Sequence, residues 1–219
     1  MKEFPRQPKP RYWASRERAW IQKLRDWSRA LPLAPRPSAK KDALWSWQRE
    51  QTRLADRFHA EVRPAEDPSL CAYCDGPLEE TSAATIDHFI PEALCPKLGV
   101  FWENLFPACS YCNSSCKKDQ WSPDLLRPDR DPVESYFDFD PETGCLAPIP
   151  GASEEIRRKV EETIKIFGLN EGSRPRARRR RWREMNNSWE MIDLESLQES
   201  ILQGPYRFVA ERLRDAKLG

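Results

Sequence analysis

Apolar side chains near the start of the chain fall at helical spacing. Trp13, Trp20, Ile21, Leu24, Trp27 and Leu31 recur at three-, four- and seven-residue steps and share one stripe. Pro32, Pro35 and Pro37 end that element. Leu44, Trp47, Leu54 and Phe58 set a second stripe between Lys41 and about Val62, with Pro64 as the stop, and two such amphipathic helices are expected to pair. The tryptophan stripe reads as core before it reads as a base-stacking platform, because indoles bury large apolar areas.

From about Ser69 to Trp121 cysteines, a short β-branched run and small polar turns replace the helical pattern. Beyond it, aromatic and acidic residues alternate over Tyr136–Asp140. Pro141-Glu-Thr-Gly144 has turn chemistry and Cys145–Ile149 can return as a second strand, so a hairpin is expected. Ser153 can cap a helix whose face is marked by Ile156, Val160, Ile164 and Phe167, and Gly168 can end it. An arginine-rich stretch from Arg174 to Arg183 runs on through Met185, Trp189 and Ile192 as another helix. A last short helix is expected after Gly204, with Pro205 in its first turn. No internal repeat is visible. The chain divides into an N-terminal helical region over 1–66, a cysteine-bearing module over 67–125, and a hairpin with further helices over 126–219.

Composition narrows the class. Hydrophobic residues make up 39% and charged residues 32%, and 20 prolines stand against 8 glycines, which favours many short elements over a large sheet or long bundle. Nine tryptophans make the expected core aromatic. A net charge of +1 gives the whole molecule no attraction to nucleic acid, so any such binding must come from local patches. No apolar run approaches a membrane span, and the opening MKEFPRQPKPRYW lacks the apolar stretch of a secretory signal. A soluble cytoplasmic protein, with no membrane partner, is expected.

Seven cysteines, an odd number, include Cys71-Ala-Tyr-Cys74 and Cys109-Ser-Tyr-Cys112. In a reducing compartment this spacing points to metal before disulfides. Four thiolates complete a tetrahedral zinc shell and leave no place for water, so zinc held here is structural. It would join the ends of the intervening segment where apolar residues are few. Cys95, Cys116 and Cys145 are left without a role.

The enclosed segment carries Ile86-Asp87-His88-Phe89-Ile90-Pro91, then Trp102-Glu103-Asn104-Leu105, then Cys112-Asn113 leading into Ser114-Ser115-Cys116-Lys117-Lys118-Asp119. This set resembles the signature of HNH endonucleases. The resemblance implies an α+β protein, mainly helical around a small zinc-stapled ββα-metal module, that hydrolyses phosphodiester bonds. Neighbours on a strand point to opposite sides, so Asp87 and His88 cannot share one task. Histidine titrates near neutrality and suits a general base, the role implied for His88. Asp87 and Asn113 offer the hard oxygens that Mg2+ or Mn2+ prefers, and Asn104 is implied to brace the loop that orients the histidine. His59, the other histidine, has no such surroundings and reads as a surface helical residue.

Two positions depart from the signature. Asn113 stands where many relatives have histidine, a substitution compatible with activity. The basic residue usual three places later is replaced by Cys116, so phosphate contact is expected from Lys117 and Lys118 beside it. Outside the motif, Thr163-Ile-Lys-Ile-Phe-Gly-Leu-Asn170 with the arginine-rich helix after it is similar to the C-terminal part of retron-associated and Septu-type HNH nucleases. That resemblance implies an antiphage effector working with an SMC-like or ABC-type ATPase, PtuA-like, with or without a retron, and cutting DNA in preference to RNA. Within the arginine-rich helix Arg178, Arg179, Arg180 and Arg181 are candidates for phosphate contact, since guanidinium binds phosphate bidentately. The same stretch can instead be a solvated face paired with acidic neighbours, or the surface that meets the ATPase. The alternative to an enzyme is a non-catalytic zinc-knuckle module that docks nucleic acid or protein.

Overall fold

The computed structural model describes residues 1–30, 57–65, 69–78, 84–191 and 193–218. Helix α1 (Arg11–Ala30) is the first amphipathic element. Trp13 is core: its ring lies 5.1 Å from Trp102 and 5.9 Å from Phe58, and its indole N–H donates to the Val100 carbonyl at 2.8 Å. Trp20 is buried as well. Residues 57–61 are helical, Tyr12 donates to the Glu61 carboxylate at 2.7 Å, and Arg57 sits 4.0 Å over the Tyr12 ring. The described end of the second helix therefore packs on the start of α1. The rest of that expected helix, with Leu44, Trp47 and Leu54, lies outside the described residues. His59 is half-buried rather than on the surface, its ring edge-on to Phe58.

Strands β1 (Ala84–His88) and β2 (Leu105–Cys109) pair antiparallel, with Asp87 opposite Phe106 and His88 opposite Leu105. A short helix, Tyr111–Lys117, follows at once and is wound as a π helix: the Lys118 amide donates to the Asn113 carbonyl at 2.7 Å, one residue further back than an α turn would reach. The strand, strand and helix form the ββα unit. The expected hairpin is present as β3 (Phe137–Phe139) and β4 (Leu146–Pro148), and α2 (Glu154–Ile166) begins where Ser153 accepts a hydrogen bond from the Ile156 amide at 3.3 Å.

The C-terminal part is more divided than its periodicity suggested. Helix α3 (Arg174–Ser188) does not run through to Ile192 but passes into a 3-10 turn, Trp189–Met191. Asp193 then starts α4 (Leu194–Gln203) by accepting from the Ser196 amide at 2.8 Å. Helix α5 (Arg207–Leu218) starts two residues after Pro205, because Asp75 captures the Tyr206 and Arg207 amides and fixes the entry of the chain, with Tyr206 at φ 55°.

One buried cluster draws Phe4, Trp13, Tyr73, Phe106, Phe137 and Phe208 together, so residues from the start, middle and end of the chain share a core. Met185, Leu197, Ile201 and Leu213 form a second cluster joining α3, α4 and α5. The result is a mainly helical α+β fold around the ββα unit. Among the described residues no helix is long and apolar enough to cross a membrane.

Gly144 shows how tightly the hairpin is held. Its φ is +79°, and a Cβ placed there would lie 1.9 Å from the Pro175 carbonyl oxygen at the start of α3. Both backbone strain and a clash with backbone follow from any side chain. Gly144→Ala should lower stability by about 2 kcal/mol or more in urea unfolding.

Candidate active site and metal centre

The first cysteine pair sits on a tight turn. The Cys71 amide donates to the Gly76 carbonyl at 2.8 Å, and the Ala72 amide to the Pro107 carbonyl of β2 at 2.9 Å, which docks the turn on the strand. Cys109 ends β2 and Cys112 lies in the π helix. All four side chains are buried, and their sulfur atoms lie within 4.8 Å of one another. Zinc with bonds of about 2.3 Å sets tetrahedral sulfurs roughly 3.8 Å apart; Cys74 and Cys109 are 3.9 Å apart. The cluster can coordinate a metal ion.

The four thiols do not share one environment. The hydrogen bond from Cys112 holds Cys109 far below the usual thiol range, while Cys112 is pushed up by the same contact and Cys71 by burial. The Arg174 guanidinium points at the Cys112 sulfur from 3.5 Å and lies 3.8 Å over the Tyr111 ring. Burial works against its charge, but the facing cysteines Cys112, Cys74 and Cys109 outweigh that and hold it protonated. An arginine read from sequence as surface is a partner of the cysteine cluster.

Ile86, Asp87, His88, Asn113 and Lys118 line a cleft of about 290 Å³, with Glu92 and Asp119 among its other lining residues. The ββα unit thus brings Asp87, His88 and Asn113 to one place. His88 Nε2 is 2.7 Å from the Gly99 carbonyl oxygen. A carbonyl can only accept, so Nε2 carries the proton and Nδ1 is left with a lone pair. Asn104 is buried and makes three bonds to the loop that returns from β1: it accepts from the Ile90 amide at 2.9 Å and donates to the carbonyls of Ile90 at 3.0 Å and Leu98 at 3.1 Å. Since Leu98 directly precedes Gly99, the same side chain steadies the carbonyl that holds His88.

Asp87 is 2% exposed and engages both oxygens internally. Tyr73, on the first cysteine turn, donates to Oδ2, and Lys117 donates to Oδ1 at 2.9 Å. Burial, and then the charge of Asp87, push the Tyr73 hydroxyl well above its ordinary value, so it remains a donor. A carboxylate offers about four lone-pair sites, of which these two bonds take half. Asn113 donates from Nδ2 to Thr85 Oγ1 at 3.1 Å and the Ile86 carbonyl at 3.3 Å, which leaves its Oδ1 as the free end at the cleft. Asp87 and Asn113 line the same cleft, and carboxylate and amide oxygens are donors of the kind a hard divalent cation takes.

The basic residues separate into two groups. Lys118 lines the cleft and is exposed. Lys117 is 0% exposed and presents nothing to a phosphate in solution. Arg178 is 2% exposed, donating to the Gly144 and Leu169 carbonyls at 2.7 and 2.8 Å, and burial lowers its pKa to about 10. It ties α3 to the hairpin. Arg179 and Arg181 are half-buried, and Arg180 is exposed, as is Arg176 one turn earlier. Reading the stretch as uniformly surface misses this, because burial of an arginine depends on carbonyls supplied from elsewhere in the fold. Tyr73 and Gly99 also escaped the sequence reading; a tyrosine inside a C-x-x-C turn carried the one available signal.

Residues 71–119 match the family of HNH endonucleases, so this stretch is an HNH-type domain. A segment of 44 residues is 43% identical to the Septu protein PtuB of Bacillus thuringiensis; the likeness covers 20% of this chain and 17% of that protein.

Asn104→Ala would leave the Ile90 amide and carbonyl without their partner inside the fold. It should cost about 2–3 kcal/mol in urea unfolding, and it should shift the imidazole resonances of His88 although the two side chains do not touch.

Proposed function

We propose that this chain is a metal-dependent endonuclease that hydrolyses phosphodiester bonds in nucleic acid, DNA in preference to RNA. The observation that carries the reading is the bond between His88 Nε2 and the Gly99 carbonyl, which leaves Nδ1 as a base at the same cleft as Asp87 and Asn113. In that role His88 takes the proton from a water molecule as its oxygen attacks phosphorus. Gly99 keeps the ring in one tautomer throughout, and Asn104 keeps the loop from drifting. Mg2+ or Mn2+, held by Asp87 and Asn113, would neutralise charge on the phosphate and the departing 3′ oxygen. Lys118 is placed to meet a phosphate at the rim. Zinc in the cysteine cluster would be structural, since four thiolates leave it no open position.

The partial likeness to a Septu protein supports a place in antiphage defence, with an SMC-like or ABC-type ATPase as partner. The exposed arginines Arg176 and Arg180 are available either to that partner or to substrate.

One observation favours the non-catalytic reading instead: Lys117 and Tyr73 already engage both oxygens of Asp87. A cleavage panel separates the two. Wild-type protein should cut plasmid or single-stranded nucleic acid with Mg2+ or Mn2+ and stop in EDTA. His88→Ala should lose at least about 100-fold in rate, the scale of a missing general base, while it keeps its zinc and its fold. Binding without scission under all metal conditions would establish a docking module. Co-expression with a candidate ATPase should give a complex that survives gel filtration; a lone monomer with full activity would remove the obligate partner.

A further inference from the structure

Among the described residues Lys117 is the most completely buried charged side chain, at 0% exposure, and no function discussed so far uses it. Its ammonium donates to Asp87 Oδ1 at 2.9 Å and to the His88 carbonyl at 2.6 Å, so it grips both residues of the Asp-His pair. Among the described residues it is the cation paired with Asp87; the other oxygen is met by the neutral Tyr73. A buried ion pair seldom adds stability over an apolar pair of the same volume, so its retention directly behind two residues that line the cleft calls for a reason other than folding.

The π helix explains how this lysine comes to be there. The amide of Lys118 closes the turn on the Asn113 carbonyl. In an α helix that closure belongs to the fourth residue after Asn113; here it belongs to the fifth, so one residue has been accommodated inside the turn. Lys117, four places after Asn113, then takes the place that the third residue holds in an α turn. Cys116 stands where the signature's basic residue is expected, and the side chain of Lys117 beside it runs inward to Asp87.

We infer that Lys117 is a positioning residue and built-in counter-cation of the cleft: it keeps Asp87 and His88 aligned before a divalent ion arrives, and its charge keeps that ion loosely held. This rests on the nuclease reading in taking Asp87 as a ligand. Asp87 would be shared between the ammonium and the ion, which places the two positive charges a few ångströms apart. Their repulsion subtracts from affinity even at a high effective dielectric. An exchangeable ion held chiefly when substrate phosphate adds negative charge is the consequence.

The test is Mn2+ binding by wild type, Lys117→Met, Lys117→Gln and Tyr73→Phe, read by electron paramagnetic resonance with zinc content monitored in each sample. Lys117→Met and Lys117→Gln should bind Mn2+ about tenfold more tightly or better, and Tyr73→Phe, which loses a bond to Asp87 but no charge, should not tighten. A purely structural lysine predicts the opposite sign, weaker binding in the lysine variants, and that result overturns the inference. Should Lys117→Met fail to fold, Lys117→Gln retains a donor and decides the matter alone. Equal affinity in wild type and both lysine variants also overturns it. If wild type shows no Mn2+ signal that Asp87→Ala removes, the ligand assignment falls and this inference with it; tight wild-type binding without tightening in the variants sinks the inference and leaves the nuclease reading intact.

Discussion

Four buried cysteines brought within 4.8 Å of one another are the constraint on which the rest of the molecule depends. Two come from a turn that precedes β1, one from the end of β2 and one from the π helix, so joining them sets the helix against the strands. Each cysteine turn also carries a side chain that bonds to β1. Tyr73 lies between Cys71 and Cys74 and reaches Asp87, and Asn113 follows Cys112 and reaches β1. A metal ion at the cluster would therefore act on the cleft through covalent neighbours rather than over distance.

Around that joint the fold supplies fixed polar partners. Asp75, next to Cys74, receives the Arg207 guanidinium at 2.8 and 2.9 Å and anchors α5 to the first cysteine turn. Arg174 does the same for α3 on the second, and the Tyr73 ring stacks 3.8 Å from Phe167 at the end of α2. The helices outside the HNH-type stretch thus brace it directly. Asp75 with Arg207 and Arg174 with the cysteines are buried charges, and each has a partner, as the cost of leaving one unpaired requires.

Much of this was legible in sequence. Cysteine spacing, the Asp87-His88 pair and Asn113 specify local chemistry that survives in any context, and they lie together in the structure. The hairpin and α2 were equally readable, because turn residues and a Ser153 cap act within a few positions. What was not legible depended on distant partners. Lys117 next to Lys118 looks like a solvated pair until the π turn sends one inward, and Arg178 looks like its arginine neighbours until Gly144 and Leu169 offer it carbonyls. The break at Ser188 was missed for a different reason: Asp193 caps the next helix by a local signal, which the long apolar periodicity outweighed in the reading.

We propose that one chain segment folds two metal sites of different character, a closed sulfur site and an open oxygen site. Diffraction from crystals soaked in Mn2+, with data at the zinc and manganese absorption edges, addresses it most directly. The account predicts zinc signal among Cys71, Cys74, Cys109 and Cys112, and manganese signal between Asp87 and Asn113. Manganese absent from the cleft, or zinc absent from the cysteines, would contradict it.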